Sequence, residues 1–258
     1  MDSAALETVQ AWLREAPQIA VLTGAGVSAE SGVPTFRDAQ TGYWAQFRPE
    51  DMATEEGFRA QPALVWRWYQ HRRQLLQGVQ PNAAHLALAA FAQQHPGRLT
   101  LITQNVDGLH RAAGSRNVIE IHGTVHRLHC MSCGQGRRVE DYAGLSIPPE
   151  CPRCGGILRP DVVLFGEALP ELAIERLESV LSQGMDAVVS IGTTSVFPYI
   201  AGPVLWAARE GTPTVEINPG DTQVSQFVDH RLRMCAAEAL PELWWRMHPA
   251  DPAEDRGW

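Results

Sequence analysis

Four short apolar runs, each breaking off in small or polar residues, constrain this chain more than any other feature. They are Ile19-Ala20-Val21-Leu22 before Thr23-Gly24-Ala25-Gly26, 99–103 before Gln104-Asn105, 187–191 before Gly192-Thr193-Thr194-Ser195, and 214–217 before Asn218-Pro219-Gly220. Runs this short and this apolar, bounded by Gly and Pro, read as strands buried on both faces of a parallel sheet. A further strand over 118–121 runs into His122-Gly123. Helical patterns separate them, over 5–15 (Leu6, Val9 and Leu13 on one side), 64–77, 83–94, 172–181 and 199–210. Strands alternating with helices predict an α/β fold with a mostly parallel sheet. In such sheets the ligand site lies beyond the carboxyl ends of the strands, so the four loops should converge on one crevice. Segments 39–80 and 126–159 fit the alternation badly and read as insertions that build a second, smaller domain.

Composition removes several function classes. The chain has 258 residues, 45% hydrophobic and 19% charged, the profile of one or two globular domains. Its 21 Lys and Arg face 29 Asp and Glu, a net charge of −8 that argues against a nucleic-acid partner. No apolar stretch approaches the ~18–20 residues of a membrane span. Met1-Asp2-Ser3 opens without the basic and apolar regions of a signal peptide. The expectation is a cytoplasmic protein with neither membrane nor nucleic-acid partner.

Three groups of residues carry candidate chemistry. Gly24-Ala25-Gly26-Val27-Ser28-Ala29 matches the G-x-G-x-x-G/A dinucleotide pattern directly after a strand. The acidic ribose-binding residue expected ~20 positions on is missing, so a dehydrogenase is disfavoured while a nucleotide site stands. Cys130-Met-Ser-Cys133 and Cys151-Pro-Arg-Cys154, 17 residues apart, have the spacing of a closed, structural Zn²⁺ site with four thiolate ligands. His126 and His129 lie nearby and read as non-ligands. Gln104-Asn105-Val106-Asp107 presents amides and one carboxylate, which suit hydroxyls and a carboxamide better than phosphates; a polar loop closed by Asx turns explains it equally. His122, at a strand end, is the best placed of the nine histidines for acid–base work near neutral pH. His85 reads as a packed helix residue. The Trp residues around 65–69 and 243–245 read as core.

Taken in order, Gly24–Arg37, Gln104–Asp107, Ile121-His122-Gly123, the four cysteines, Phe165-Gly166-Glu167 and Gly192–Ser195 resemble the sirtuins, NAD-dependent protein lysine deacylases. The resemblance runs from about residue 15 to 245. It implies a Rossmann-like NAD-binding domain (1–38, 81–125 and 160–258) and a small domain made of a helical module (39–80) and a zinc module (126–159). By the same resemblance Gly24, Ala25, Gly26 and Ser28 cradle the pyrophosphate, and Phe36 and Arg37 cover the nicotinamide side. Gln104 holds the ribose, and Asn105 and Asp107 define the nicotinamide pocket. His122 is the general base. Gly192, Thr193, Thr194, Asn218 and Ala236 take the adenosine half, and the strand around Val163 and Phe165 pairs with an acylated-lysine peptide.

Trp66, Tyr69 and Arg72 follow at helical spacing, which by periodicity alone means aromatics inward and arginines to solvent. Tyr69-Gln70-His71-Arg72 also resembles the Tyr-x-x-Arg signature of class III sirtuins, with Ala53 at the position that widens their acyl pocket. This implies succinyl- or malonyl-lysine in preference to acetyl-lysine. A protein ADP-ribosyltransferase and a zinc-containing NAD or ADP-ribose binding module without turnover are the alternatives.

Overall fold

The computed structural model describes residues 3–34, 47 and 52–247; Phe36 and Arg37 lie outside them. Among the described residues the strands form two sheets. The larger contains β1 (Ile19–Thr23), β2 (Leu99–Thr103), β3 (Val118–Glu120), β7 (Ala187–Ile191), β8 (Thr214–Ile217) and β9 (His230–Leu232). Its order is β3-β2-β1-β7-β8-β9 and every pairing is parallel. β1 sits centrally, with Thr23 registered against Thr103 and Ile191. Ile191 is registered in turn against Ile217, so all four anticipated loops leave the sheet side by side. β9 is a strand that the sequence pattern did not reveal.

Helices cover both faces, as buried parallel strands require. On one side α1 (Ser3–Glu15), α5 (Ala83–Gln94) and α9 (Ala236–Met247) share a core with β1, β2, β7 and β8: Leu6, Val9, Leu88, Phe91, Ala239 and Leu243 pack against Val21, Leu101, Val189 and Val215. On the other, α7 (Glu171–Ser182) and α8 (Pro198–Glu210) enclose Leu22, Ile102, Val188, Leu177 and Val204. Asn82 caps α5 by accepting from the Ala84 and His85 amides at 3.0 and 3.4 Å, and its own amide reaches Val27 O at 2.7 Å.

The smaller sheet is antiparallel, with β4 (Gly123–Cys130) between β5 (Gly136–Arg138) and β6 (Leu158–Val162). A separate hydrophobic cluster joins it to α3 (Glu55–Ala60) and α4 (Pro62–Leu75) through Phe58, Trp66, Trp68, Tyr69, Leu128 and Leu158. The Trp66 indole donates to Leu158 O at 2.7 Å, giving the buried ring's polar edge its partner. The two segments that broke the alternation thus share one core.

Chain crossings between the sheets meet at His122. Gly123 takes φ +76°, and a Cβ there would stand 2.1 Å from Asp161 O, so only glycine fits. On the return pass Val163 N donates to His122 O at 2.9 Å. No helix among the described residues is long and apolar enough to cross a membrane.

Candidate active site

The loop after β1 leads into the short helix α2 (Ala25–Ala29) and lies directly on the loop after β7. Gly24 N donates to Ile191 O at 3.1 Å and Gly26 N to Gly192 O at 2.8 Å. A Cβ on Gly24 would stand 2.7 Å from Thr193 Cβ, and one on Gly192 (φ +58°) 2.6 Å from Val27 N. The glycines of the dinucleotide pattern thus let two loops touch backbone to backbone. Ala25 is exposed at the mouth and Ser28 is buried beneath it.

The loop after β2 supplies the polar floor. The Gln104 amide donates to Thr193 Oγ1 at 2.8 Å. The Asn105 amide donates to Gly24 O at 3.0 Å and to Ser28 Oγ at 2.9 Å. Ser28 is in turn hydrogen-bonded to Asp107, which accepts from Leu109 N at 2.9 Å. Burial raises the Asp107 carboxyl above the usual carboxylate range, against those hydrogen bonds. Asn218, after β8, donates to Thr193 O at 3.2 Å, and Thr194 is exposed beside it. Ala236 opens α9 and is buried in the core. Amides, hydroxyls and one carboxyl converge here, and Asp107 also closes the Asx turn that explained its loop equally well.

His122 follows β3 and is bonded on both nitrogens. Nδ1 lies 3.1 Å from the Gln104 carbonyl and Nε2 2.7 Å from the Tyr199 hydroxyl. A carbonyl only accepts, so Nδ1 carries the proton and, in the neutral ring, Nε2 the lone pair. Burial lowers the pKa of His122, partly offset by the Gln104 bond, which keeps the imidazole neutral to lower pH. Neither Tyr199 nor the deeper pair His85 and His110 was legible in the sequence as part of this site. The two buried histidine rings, His85 on α5 and His110 on the short helix α6 (Leu109–Ala112), lie 4.7 Å apart, and His110 Nε2 is 3.0 Å from Thr23 Oγ1. Desolvation pushes His85 down to about 4 and His110 to about 3, so both are neutral packing groups at physiological pH.

Across the cleft, 163–165 runs beside Ala53-Thr54: Phe165 N donates to the carbonyl of the buried Ala53 at 2.7 Å. Phe165 itself is exposed. Glu167 holds this segment by accepting from Leu164 N at 2.9 Å, and the buried Arg159 donates to both of its carboxylate oxygens at 2.7 and 2.9 Å. Tyr69 is buried on α4, and desolvation raises its phenol pKa although Arg159 and Arg72 both pull it down. The Arg72 guanidinium lies over the Trp68 ring at 5.1 Å. Tyr69 and Arg72 interact electrostatically on α4, and the arginine that periodicity alone would send to solvent is partly buried.

Each cysteine pair folds as the same knuckle. Gly134 N bonds Cys130 O at 3.0 Å and Gly155 N bonds Cys151 O at 2.9 Å, with both glycines at positive φ. The four sulfurs lie within 4.8 Å of one another, with Cys130 and Cys154 3.5 Å apart and Cys133 and Cys151 3.8 Å apart. Thiolates ~2.3 Å from a tetrahedral Zn²⁺ are about 3.8 Å apart, so this set fits one structural ion. His126 and His129 are engaged elsewhere, with Asp107 O at 2.9 Å and Asp161 at 3.0 Å.

Residues 24–198, the span that holds the loop-on-loop glycines, the amide floor, His122 and the cysteine knuckles, match the model of the Sir2 family. The chain belongs to the Sir2 family. It is 44% identical to the NAD-dependent protein deacylase of Methylococcus capsulatus, over 93% of this chain and 96% of that one. It is likewise 44% identical to that of Ralstonia nicotianae, over 94% and 97%. A Sir2 homologue solved in complex with NAD superposes with a TM-score of 0.87 at 40% identity, covering 94% of each chain. A complex of Sir2 with a p53 peptide and NAD⁺ gives 0.82 at 28% identity, over 95% of this chain and 99% of the other. The Rossmann-like sheet expected of a sirtuin is the one observed.

Proposed function

We propose that this Sir2 protein is an NAD-dependent protein lysine deacylase that prefers succinyl- or malonyl-lysine to acetyl-lysine. The observation that carries the reaction is the position of a neutral, tautomer-fixed His122 beside an amide-and-carboxyl pocket at the carboxyl ends of the parallel strands. The donors present fit NAD: Gln104 and Asn218 suit ribose hydroxyls, and Asn105 with Asp107 suits a carboxamide. When bound, NAD supplies the carbon that takes the acyl oxygen as nicotinamide leaves, and the ribose hydroxyl that then takes the acyl group. Ser28 and Asn105 orient Asp107, and the enclosure of this pocket excludes competing water. His122 accepts a proton as the ribose hydroxyl attacks, a role worth ~10²–10⁴ in rate for a general base. Phe36 and Arg37 cover the nicotinamide side in this reading, and Gly24–Ser28, Thr193, Thr194 and Ala236 accompany the pyrophosphate and adenosine.

The peptide lies extended against 163–165, where main-chain pairing gives affinity with little sequence demand. Its acyl group enters between Ala53, Tyr69 and Arg72. There a guanidinium fork and a phenol hydroxyl would bind a distal carboxylate. An acetyl group has no carboxylate to offer that guanidinium. In this reading 39–80 and 126–159 form the small domain of a cytoplasmic enzyme, and the cleft between the domains is the active site.

A panel of acetyl-, malonyl-, succinyl- and glutaryl-lysine peptides assayed with NAD tests the proposal. The expected result is peptide-dependent nicotinamide release, fastest for the acidic acyl groups. Strong preference for acetyl-lysine would sink the pocket assignment alone. Label passing from NAD onto protein would favour an ADP-ribosyltransferase, and binding without either product would leave a binding module.

A further inference from the structure

Tyr199 has no role in the scheme above, yet its hydroxyl occupies the one nitrogen through which His122 can act. Nδ1 is committed to the Gln104 carbonyl at 3.1 Å, so the basic lone pair is on Nε2, and the Tyr199 hydroxyl lies 2.7 Å from it. The phenol is the only possible donor in that contact while the imidazole is neutral. Its ring is held in place. It stacks on Phe197 (centroids 5.3 Å apart, planes 12° apart), and both rings meet the imidazole edge-on, at 5.6 and 5.7 Å and near 85°. Pro198 fixes the chain between the two aromatics at the first turn of α8. Tyr199 remains partly exposed, whereas the other ring nitrogen of His122 faces a backbone carbonyl.

We propose that Tyr199 relays the proton that His122 receives during acyl transfer. The inference rests on the deacylase reading. The oxygen of the attacking ribose hydroxyl forms its bond to the acyl carbon, whose C=N π pair withdraws onto the substrate nitrogen. The hydroxyl proton passes to Tyr199 Oη as Tyr199 passes its own to His122 Nε2. Tyrosine ends neutral, the imidazolium carries the charge, and its Nε2–H is left donating to the same oxygen. Tyrosinate never forms, which agrees with burial pushing the Tyr199 phenol up to about 12. The other titratable groups on the surrounding elements are bonded elsewhere: Asp107 to Leu109 N and Ser28, Asp161 to Arg127 and His129.

Tyr199→Phe keeps the ring stack and removes only the relay oxygen. With NAD and a peptide that the wild type turns over, its rate of O-acyl-ADP-ribose formation should fall at least ~10-fold, toward the lower end of general acid–base losses because water can fill the gap. Exchange of labelled nicotinamide into NAD reports the step before His122 acts, and it should stay within about twofold of wild type. Turnover equal to or faster than wild type, or an equal loss in both assays, overturns the relay. A wild type with no peptide-dependent nicotinamide release would instead overturn the deacylase reading. A readout free of turnover and of the variant's folding is the ¹⁵N spectrum of the wild-type imidazole. The relay requires His122 neutral at pH 7 with its proton on Nδ1, and the opposite tautomer overturns it.

Discussion

The two halves of the cleft reach rigidity by different means. On the parallel-sheet side, polar side chains are few and backbone does the positioning: strand ends in register, glycines that let loops touch, and single amides that bridge them. On the other side a small antiparallel sheet relies on side chains, with four thiolates, two buried tryptophans and the chain of contacts Arg127–Asp161–His129–Arg159–Glu167. A parallel sheet covered on both faces has core enough to hold itself. A three-stranded sheet does not, and needs a metal and buried ion pairs as staples.

The strongest way to break the contrast is to remove the staple. Purified protein should hold about one equivalent of zinc, and Cys151→Ala or chelation should unfold the small sheet, since structural zinc contributes ~10–16 kcal/mol in isolated finger peptides. Circular dichroism should show the parallel sheet surviving, and a metal-free protein of unchanged stability would show that the thiolates are idle. On the backbone side, His122→Ala should cost ~10²–10⁴ in turnover with a normal melting temperature. In the wild type, the acid limb of the rate profile should fall below the usual histidine range. The sign follows from the base being active when neutral while burial lowers its pKa.

Arg159→Met sharpens the comparison further. It strands the Glu167 carboxylate, which the structure leaves little exposed, and loss of one partner of a buried pair costs about 3–5 kcal/mol. Urea denaturation should show that loss. Arg72→Met, by contrast, should spare stability but lose ~10- to 150-fold in desuccinylation efficiency, from hydrogen bonds to a charged group worth about 1.5–3 kcal/mol. Deacetylation should fall much less. The smallest change is Thr54→Ala, which removes the cap that accepts from Gly57 N at 3.0 Å and should cost about 1 kcal/mol by thermal melting.

The same contrast governs what the sequence disclosed. Local rules wrote the backbone side: apolar runs ending in Gly24, Gln104, Gly192 and Asn218 located the strands and the crevice, and α5 runs over the expected 83–94. The cysteine spacing was equally plain because the knuckle is local. The helix over 236–247 and the edge strand at 230 left no clear period, since Pro241 interrupts one and three residues make the other. Arg159 with Glu167, Thr23 with His110 and His122 with Tyr199 were invisible for a common reason. Each joins residues that only the folded topology brings together, so no spacing records them.

His122 stands where the chain crosses from one sheet to the other, and the return crossing is bonded to its carbonyl through Val163. A rigid rotation displaces each atom in proportion to its distance from the axis. About an axis through this double crossing, Tyr69 and Arg72 on α4 would sweep the longer arcs while the imidazole hardly shifts. Under such a rotation the imidazole would act as the fulcrum, keeping its bond to the Gln104 carbonyl while α4 moved.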